Sequence, residues 1–290
     1  MIWRQDTLTM KRKRTFLTKL RINGAYYLIG ALLLLAAVPL YQLLVLLPQG
    51  YADALASAGK GSFSSYVLWI GHHLSQFLGY RALLVISFVV LLSLPFTLFR
   101  IIVAQEILGQ EEDDMGEETK EIESTETQTP DGMPEYAWRG KGFAVLAAWS
   151  GLLSIILYTL GTLASAVYLA VVSSTFSGHT PNTSTASNFS TIASALSIIS
   201  NTIGGGLLAL SCLFFGAIIA RRGLKLWPGV WVAFGYTALA VAALLSGSAV
   251  AVASAPTEGQ AALTTPAILL FALWVLWFAI MLVRLKPEVQ

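Results

Sequence analysis

The residue types that most often carry out chemistry are few in this chain and widely scattered. Its three histidines are His72, His73 and His179, and its one cysteine is Cys212. Because successive residues of a helix point about 100° apart, His72 and His73 cannot bind one metal ion as an i, i+4 pair can. A single cysteine allows no intramolecular disulfide and is too few for a thiolate metal site. The sequence therefore predicts no catalytic residue, no metal site and no cofactor, and we expect a non-enzymatic protein.

A polar, glycine-rich stretch inside an apolar run is the strongest candidate for a substrate site or a bend. Its members are Asn201, Thr202, Gly204, Gly205 and Gly206. In some transporters, a helix interrupted at such a point lines the substrate site. The alternative is close packing around a flexible bend, because small residues at four-residue spacing let helices approach each other.

Four consecutive basic residues near the N-terminus are candidates for contact with anionic lipids. They are Lys11, Arg12, Lys13 and Arg14. Each such charge beside an anionic leaflet contributes about 1 kcal/mol. A role in setting the topology alone would also explain the cluster. The net charge of the whole chain is only +2, which gives no indication of nucleic-acid binding.

Most of the chain consists of long runs of uncharged residues, and the elements that these runs form must hold the candidate residues in place. The chain has 290 residues, of which 56% are hydrophobic and only 12% charged, whereas soluble domains carry about 25% charge. A helix needs about 20 apolar residues to cross a bilayer. Six runs qualify: 25–47, 82–104, 143–172, 191–220, 230–252 and 266–283. We therefore predict an all-α integral membrane protein whose core is a bundle of six transmembrane helices.

The interiors of these six runs lack ionisable groups, apart from Arg100 near the end of the second. Proton relays, voltage sensors and intramembrane catalytic sites need such groups at membrane depth, so the sequence disfavours them. The sixth run carries aromatic residues and a methionine on one side, which predicts either helix packing, a lipid-facing stripe or a surface for a sterol- or quinone-like ligand. They are Phe271, Trp274, Trp277, Phe278 and Met281.

The distribution of basic residues predicts the orientation. Six spans put both termini on one side, and that side holds every lysine and arginine except Lys60 and Arg81. The positive-inside rule then predicts that both termini lie in the cytoplasm. We expect the protein to reside in the inner membrane of the cell. Tyr26 and Tyr27, at the start of the first span, and Trp227, before the fifth, are expected in the interfacial belt.

Two segments between the spans have characters of their own. Residues 62–80 carry apolar side chains at i, i+3, i+4 and i+7, which predicts an amphipathic helix on the outer interface. That helix is either a lid over a cavity or a surface connector. Residues 106–135 hold twelve acidic residues against one lysine and no aromatic residue, so we expect a disordered cytoplasmic loop.

These segments predict a division of the chain and two functions. The division is into residues 1–24, 25–104, 105–141, 142–284 and 285–290. The leading interpretation is a structural, accessory or regulatory protein of the inner membrane, which contacts the lipid bilayer and a protein partner at the acidic loop 106–135. The alternative is a permease for a neutral or apolar small solute, which uses the glycine-rich fourth span.

Overall fold

Six long apolar helices dominate the structure. This computed structural model describes residues 3–59, 63–117, 141–175, 191–254 and 264–285, and every regular element within these ranges is helical. The helices long and apolar enough to cross a membrane are Thr18–Gln49, Leu74–Glu106, Lys141–Thr175, Thr191–Lys225, Gly229–Ser254 and Pro266–Val283. They are called spans 1 to 6 below. The predicted six-span, all-α membrane architecture is confirmed, and the chain is a multi-pass membrane protein.

Spans 3, 5 and 6 are continuous α-helices, whereas the other three contain irregular turns. The continuous helices are Lys141–Thr175, Gly229–Ser254 and Thr264–Val283. Span 1 begins within the α-helix Trp3–Leu32 and continues through the segments Leu33–Ala37 (π), Val38–Tyr41 (α), Gln42–Leu46 (π) and Leu47–Gln49 (3₁₀). Span 2 lies within the α-helices Leu74–Val90 and Leu94–Glu117. Span 4 contains the π-helix Ile198–Gly204, the α-helix Gly205–Arg222 and the 3₁₀ turn Gly223–Lys225.

The spans pack in sequence order around a ring. Each span contacts the next one, and span 6 closes the ring against span 1. Aromatic rings fill the interior: Phe234 stacks on Trp274 with 4.7 Å between centroids, and Phe88 of span 2 faces Phe271 of span 6 at 6.5 Å. Phe271, Trp274 and Phe278 are buried and Trp277 and Met281 partly buried, so most of the aromatic side of span 6 serves helix packing. A surface for a sterol- or quinone-like ligand there stays a prediction.

Hydroxyl groups join neighbouring spans where the helices are irregular. Span 2 is interrupted just before Pro95, which has no N–H to donate. There the Tyr27 hydroxyl lies 2.6 Å from Thr97 Oγ1 and 2.9 Å from Ser93 Oγ. Tyr27 is therefore buried between spans 1 and 2. Trp227, in the turn after span 4, is also buried. The expectation that both lie in an interfacial belt concerns membrane depth and stays a prediction. Tyr26 is 55% exposed, as a lipid-facing or interfacial residue would be.

Hydrogen bonds from two side chains show which segments share one end of the bundle. Arg21, near the start of span 1, donates to the carbonyl of Leu285, just after span 6. Gln105, near the end of span 2, donates through Nε2 to the carbonyl of Leu226 in the turn before span 5, at 3.1 Å. We call this the terminal end of the bundle, and the opposite one the distal end.

The segments between the spans differ in part from the prediction. The helix that contains the end of span 2 continues to Glu117, so the first part of the predicted disordered loop 106–135 is helical. Its glutamates and glutamine have good helix propensity, and an existing helix extends without a new nucleation step. Residues 118–135 lie outside the described part of the chain. The predicted amphipathic helix is present as Phe63–His72, while residues 74–80 belong to span 2. The division of the chain stays a prediction.

Glycines allow the closest contact between spans 4 and 5. A Cβ atom on Gly216 would lie 2.7 Å from the Gly235 carbonyl oxygen, whereas one on Gly206 would meet nothing within 4 Å. We expect Gly216→Ala to force the two helices apart and to reduce stability by about 1–3 kcal/mol. Gly206→Ala should leave stability unchanged or raise it by up to about 1 kcal/mol through helix propensity.

Thermal unfolding of the two purified variants beside the wild-type protein measures this difference. Equal effects of Gly216→Ala and Gly206→Ala would contradict the packing described here.

Candidate solute cavity

A cavity of about 170 Å³ lies among spans 1, 2, 3, 4 and 6 in the distal half of the bundle. Its lining combines one cationic side chain, four phenols and further polar groups with an aliphatic surface. The polar residues are Gln42, Tyr51, Tyr66, Tyr80, Arg81, Tyr158, Thr162, Ser165, Ser197, Ser200 and Asn201. The other lining residues are Leu34, Val38, Pro39, Leu55, Leu84, Ile268 and Leu269.

Wide helical turns accompany this space. Pro39 lies between the two π-helical segments of span 1, and the π-helix Ile198–Gly204 supplies the wall from span 4. A proline in a helix removes a backbone hydrogen bond and clashes with the preceding turn, and π-turns are frequent at functional sites. The bend predicted at Asn201 is therefore a widened turn in a continuous helix, and the alternative of a broken helix is wrong.

The five candidate residues of span 4 divide into three roles. Asn201 lines the cavity and donates through Nδ2 to Ser197 Oγ at 3.3 Å. Thr202 does not line it, and its buried hydroxyl has no hydrogen-bond partner among the described residues. Gly204 accepts a hydrogen bond from Ser154 Oγ at 2.7 Å. A Cβ atom at Gly204, Gly205 or Gly206 would meet no atom closer than 3.6 Å, so close packing does not require the triplet.

Gly204 and Gly205 line a second, smaller chamber of about 30 Å³. It shares Tyr158, Asn201 and Ile268 with the main cavity, so the two spaces are neighbours with part of their wall in common. Such a volume is enough for a water molecule or a small chemical group. Gly206 lines neither space, which leaves Asn201 as the candidate residue at the junction of both.

Arg81 is the site residue that the sequence prediction missed. That prediction begins the second span at residue 82 and counts Arg81 as part of a loop, but span 2 begins at Leu74. Arg81 therefore lies about 10 Å along the span at 1.5 Å per residue. The expectation that the span interiors lack ionisable groups stays a prediction, because the bounds of span 2 are those of its 33-residue helix and about 20 residues suffice to cross a bilayer. The helical periodicity of residues 62–80, continued into the apolar run, is the signal that could have placed Arg81 inside.

The guanidinium of Arg81 has aromatic neighbours and no carboxylate. Its central carbon lies 5.1 Å from the centroid of the Phe77 ring, a cation–π contact. Its Nε atom is buried without a hydrogen-bond partner among the described residues, and the cavity lining contains no Asp or Glu. The four phenols of the lining are close enough to interact with its charge. Since arginine stays protonated in proteins, the lining carries a positive charge that no described carboxylate neutralises.

Phenols can stabilise such a charge only weakly, because they carry none of their own at neutral pH. Burial raises the pKa of Tyr51, which lies outside the spans, well above its ordinary value. The Tyr51 hydroxyl thus stays protonated at physiological pH and is available as a hydrogen-bond donor as well as an acceptor. The lining consequently offers hydrogen-bond donors around a fixed cation, an arrangement suited to an acceptor-rich solute.

Two short helices cover the distal side of the cavity and are called the lid. They are Tyr51–Gly59 and Phe63–His72. Tyr51 and Leu55 of the first and Tyr66 of the second line the cavity. The Trp69 indole donates to the Gln49 carbonyl at 2.6 Å and packs on Tyr51 with 5.0 Å between ring centroids. The lid alternative for the amphipathic segment thus has the required geometry.

Of the histidines and the basic N-terminal cluster singled out in the sequence, none is among the described residues that line the cavity. His72 is exposed, and His73 packs against Trp69 at the break before span 2. Among the residues described, no three histidine, cysteine or acidic side chains form a group that could hold a metal ion. The cluster Lys11, Arg12, Lys13 and Arg14 lies in the helix Trp3–Leu32, and its side chains are outside the described structure. Its contact with anionic lipids stays a prediction.

No protein-family model, no curated protein and no solved structure matches the chain. The site must therefore be interpreted from its own geometry.

Trp69 anchors the lid through its hydrogen bond to Gln49. We expect Trp69→Phe, which keeps an aromatic ring and loses the donor, to weaken the lid by about 1 kcal/mol. Hydrogen exchange of the backbone amides of residues 51–72 should then be faster by about fivefold, while exchange in spans 4 and 5 stays unchanged.

The matched control is Leu68→Ala, because Leu68 is the preceding residue of the same helix and its side chain is 43% exposed. If the backbone amides of the lid exchange at the same rate in the Trp69→Phe and Leu68→Ala variants, the hydrogen bond from Trp69 does not stabilise the lid.

Proposed function

We propose that this multi-pass membrane protein is a permease that takes up a small solute in the cavity beneath the lid. The observation that carries the proposal is Arg81, a charge with a buried Nε and no counter-ion in the described structure, on the wall of a space of about 170 Å³. An ionised group in a membrane is costly unless it is paired or faces a cavity, and such groups mark substrate pathways. A purely structural bundle gains nothing from placing an arginine there.

Two features of the cavity support transport over a scaffold role. The lid packs on spans 1, 2 and 3 through a second hydrophobic cluster, which includes Leu46, Phe77 and Leu169 and is smaller than the main core of the bundle. An element held by a smaller cluster opens at lower free energy than the main core does. The π-helical turns of spans 1 and 4 give the opposite walls an irregular, adjustable geometry.

The solute differs from the one expected on sequence grounds. The sequence favours a neutral or apolar solute because it assigns no charge to the membrane interior, whereas the site proposed here includes the charge of Arg81. The candidate residue Asn201 keeps its place in the site, at the junction of the two chambers. A structural, accessory or regulatory role with a partner at the acidic loop 106–135 stays a prediction, and we propose no enzymatic activity.

We further propose that the protein resides in the inner membrane with both termini in the cytoplasm. The support is the concentration of lysine and arginine on the side of the termini. With Arg81 inside span 2, Lys60 alone remains as a basic residue of the distal loops. The lid and the cavity then face the outside, so the solute enters from there.

The orientation is testable with single cysteines in a Cys212→Ala background. Thr175→Cys lies at the distal end of span 3, and Leu224→Cys at the terminal end, where Leu224 is 77% exposed. In intact cells, a membrane-impermeant maleimide should label Thr175→Cys only, and Leu224→Cys should need permeabilised cells. The reverse labelling pattern would overturn the proposed orientation.

Solute binding is testable by thermal unfolding of the full chain in nanodiscs, with a panel of sugars, amino acids, amines and organic acids. A solute at about 100 times its Kd stabilises a protein by about 2.7 kcal/mol. We expect at least one solute class to raise the Tm, and Asn201→Leu, which replaces a polar lining group by an apolar one of similar size, to abolish the shift. Flux of that solute into proteoliposomes should be lost in the same variant.

Thr202→Val is the matched control, since Thr202 is adjacent, lines neither chamber and has an unpaired hydroxyl in the described structure. It should retain both the Tm shift and the flux. A shift that persists in Asn201→Leu, or a panel without any effect, would contradict the proposed function.

A further inference from the structure

We infer that the solute is a small organic monocarboxylate whose carboxylate binds Arg81 and whose uncharged body extends toward Asn201. This inference rests on the proposed function and adds the chemical class of the solute.

The charge of the ligand follows from the charge of the wall. In the described structure, Arg81 is the one ionised residue of the cavity lining, which contains no carboxylate that could neutralise it. Its guanidinium stays charged whatever the pH of the cell. A ligand with one negative charge makes the occupied cavity neutral, whereas a neutral ligand leaves the cation uncompensated and a dianion replaces it by a net negative charge.

The shape of the cation favours a carboxylate. A guanidinium offers a planar fork of N–H donors that matches the two oxygens of a carboxylate, and Arg81 lines the cavity. Phosphate sites, by contrast, typically add a helix N-terminus or several cations. Here the remaining polar lining consists of hydroxyl and amide groups, which suit hydrogen bonds to a singly charged group.

The rest of the lining describes the body of the ligand. Leu84, Ile268 and Leu269 supply an aliphatic wall. Tyr158 and Asn201 also line the chamber beside Gly204 and Gly205, where Phe88, Leu208 and Leu245 make most of the surface apolar. A body of a few carbon atoms with no second charge fits this change from polar to apolar surface.

A lipid headgroup is the other source of a negatively charged oxygen group. The lid separates the cavity from the distal end through Tyr51 and Tyr66, which favours a small soluble anion over a lipid. The experiment below nevertheless includes lipids and inorganic phosphate, because both could meet the same guanidinium.

The test compares ligands of matched shape on matched variants in phosphatidylcholine nanodiscs. The ligands are short aliphatic monocarboxylates, their carboxamides and inorganic phosphate, and a parallel set of nanodiscs contains phosphatidylglycerol without added ligand. The variants are Arg81→Gln, Arg81→Lys and Arg100→Gln. Arg100 lies in the same span and is exposed, so Arg100→Gln controls for the loss of a charge outside the cavity.

We expect a monocarboxylate to raise the Tm of the wild-type protein and of Arg100→Gln, and its carboxamide to have no effect. Arg81→Gln should weaken carboxylate binding about tenfold or more, and Arg81→Lys should weaken it less, because lysine keeps the charge and loses the fork. Without ligand, Arg81→Gln should be at least as stable as the wild type, since it removes an uncompensated charge. Loss of carboxylate binding in this variant then cannot be attributed to unfolding.

Three results would overturn the inference. The carboxamide binds as tightly as the acid, or Arg81→Gln retains full carboxylate affinity, or only phosphate or phosphatidylglycerol stabilises the protein through Arg81. Failure of the proposed function gives a different pattern, in which no ligand, charged or neutral, raises the Tm in a manner that depends on Asn201.

Discussion

The charge of Arg81 is the constraint on which the interior of this protein depends. A guanidinium cannot release its proton to enter the membrane as a neutral group, so the surrounding structure must provide for the ion. Among the described residues, its neighbours are the Phe77 ring and phenols rather than a carboxylate. The irregular turns of spans 1 and 4 and the lid then enclose a space beside the cation. An arrangement that stabilises a charge incompletely has room for a ligand to complete it.

Away from the cavity, the helices are held together by close contact and by hydrogen bonds between spans. Lipid tails are as apolar as leucine side chains, so helices associate in a membrane through close contact and interhelical hydrogen bonds. Gly216 meets the Gly235 carbonyl, and Ser211 Oγ of span 4 donates to the Ala147 carbonyl of span 3 at 2.8 Å. The triplet Gly204, Gly205 and Gly206 has no such close neighbour. Close contact also occurs beside the cavity, where a Cβ atom on Gly161 would lie 2.7 Å from Ser200 Cβ.

The sequence predicted the spans well because twenty consecutive apolar residues have few alternatives to a transmembrane helix. It predicted Asn201 as a site residue because a polar amide is unusual in such a run. It could not predict π-turns, which depend on how neighbouring helices accommodate the backbone, nor the helix Tyr51–Gly59, which has only nine residues and so depends on its packing for stability. Arg81 was missed because hydropathy defines a span by its apolar residues, so a charge near the boundary shortens the predicted span. Only the packing of the lid shows that this charge faces inward.

The most direct test of the central claim measures the potential inside the cavity. With Cys212→Ala and Asn201→Cys in place, the rate constants of modification by an anionic and a cationic water-soluble thiol reagent of similar size report the field at position 201. If Arg81 holds an unneutralised charge in this cavity, the ratio of the anionic to the cationic rate constant should fall about tenfold on Arg81→Gln, or about 1.4 kcal/mol. A ratio that is the same with and without Arg81, or an introduced cysteine thiol that neither reagent reaches, would contradict the account.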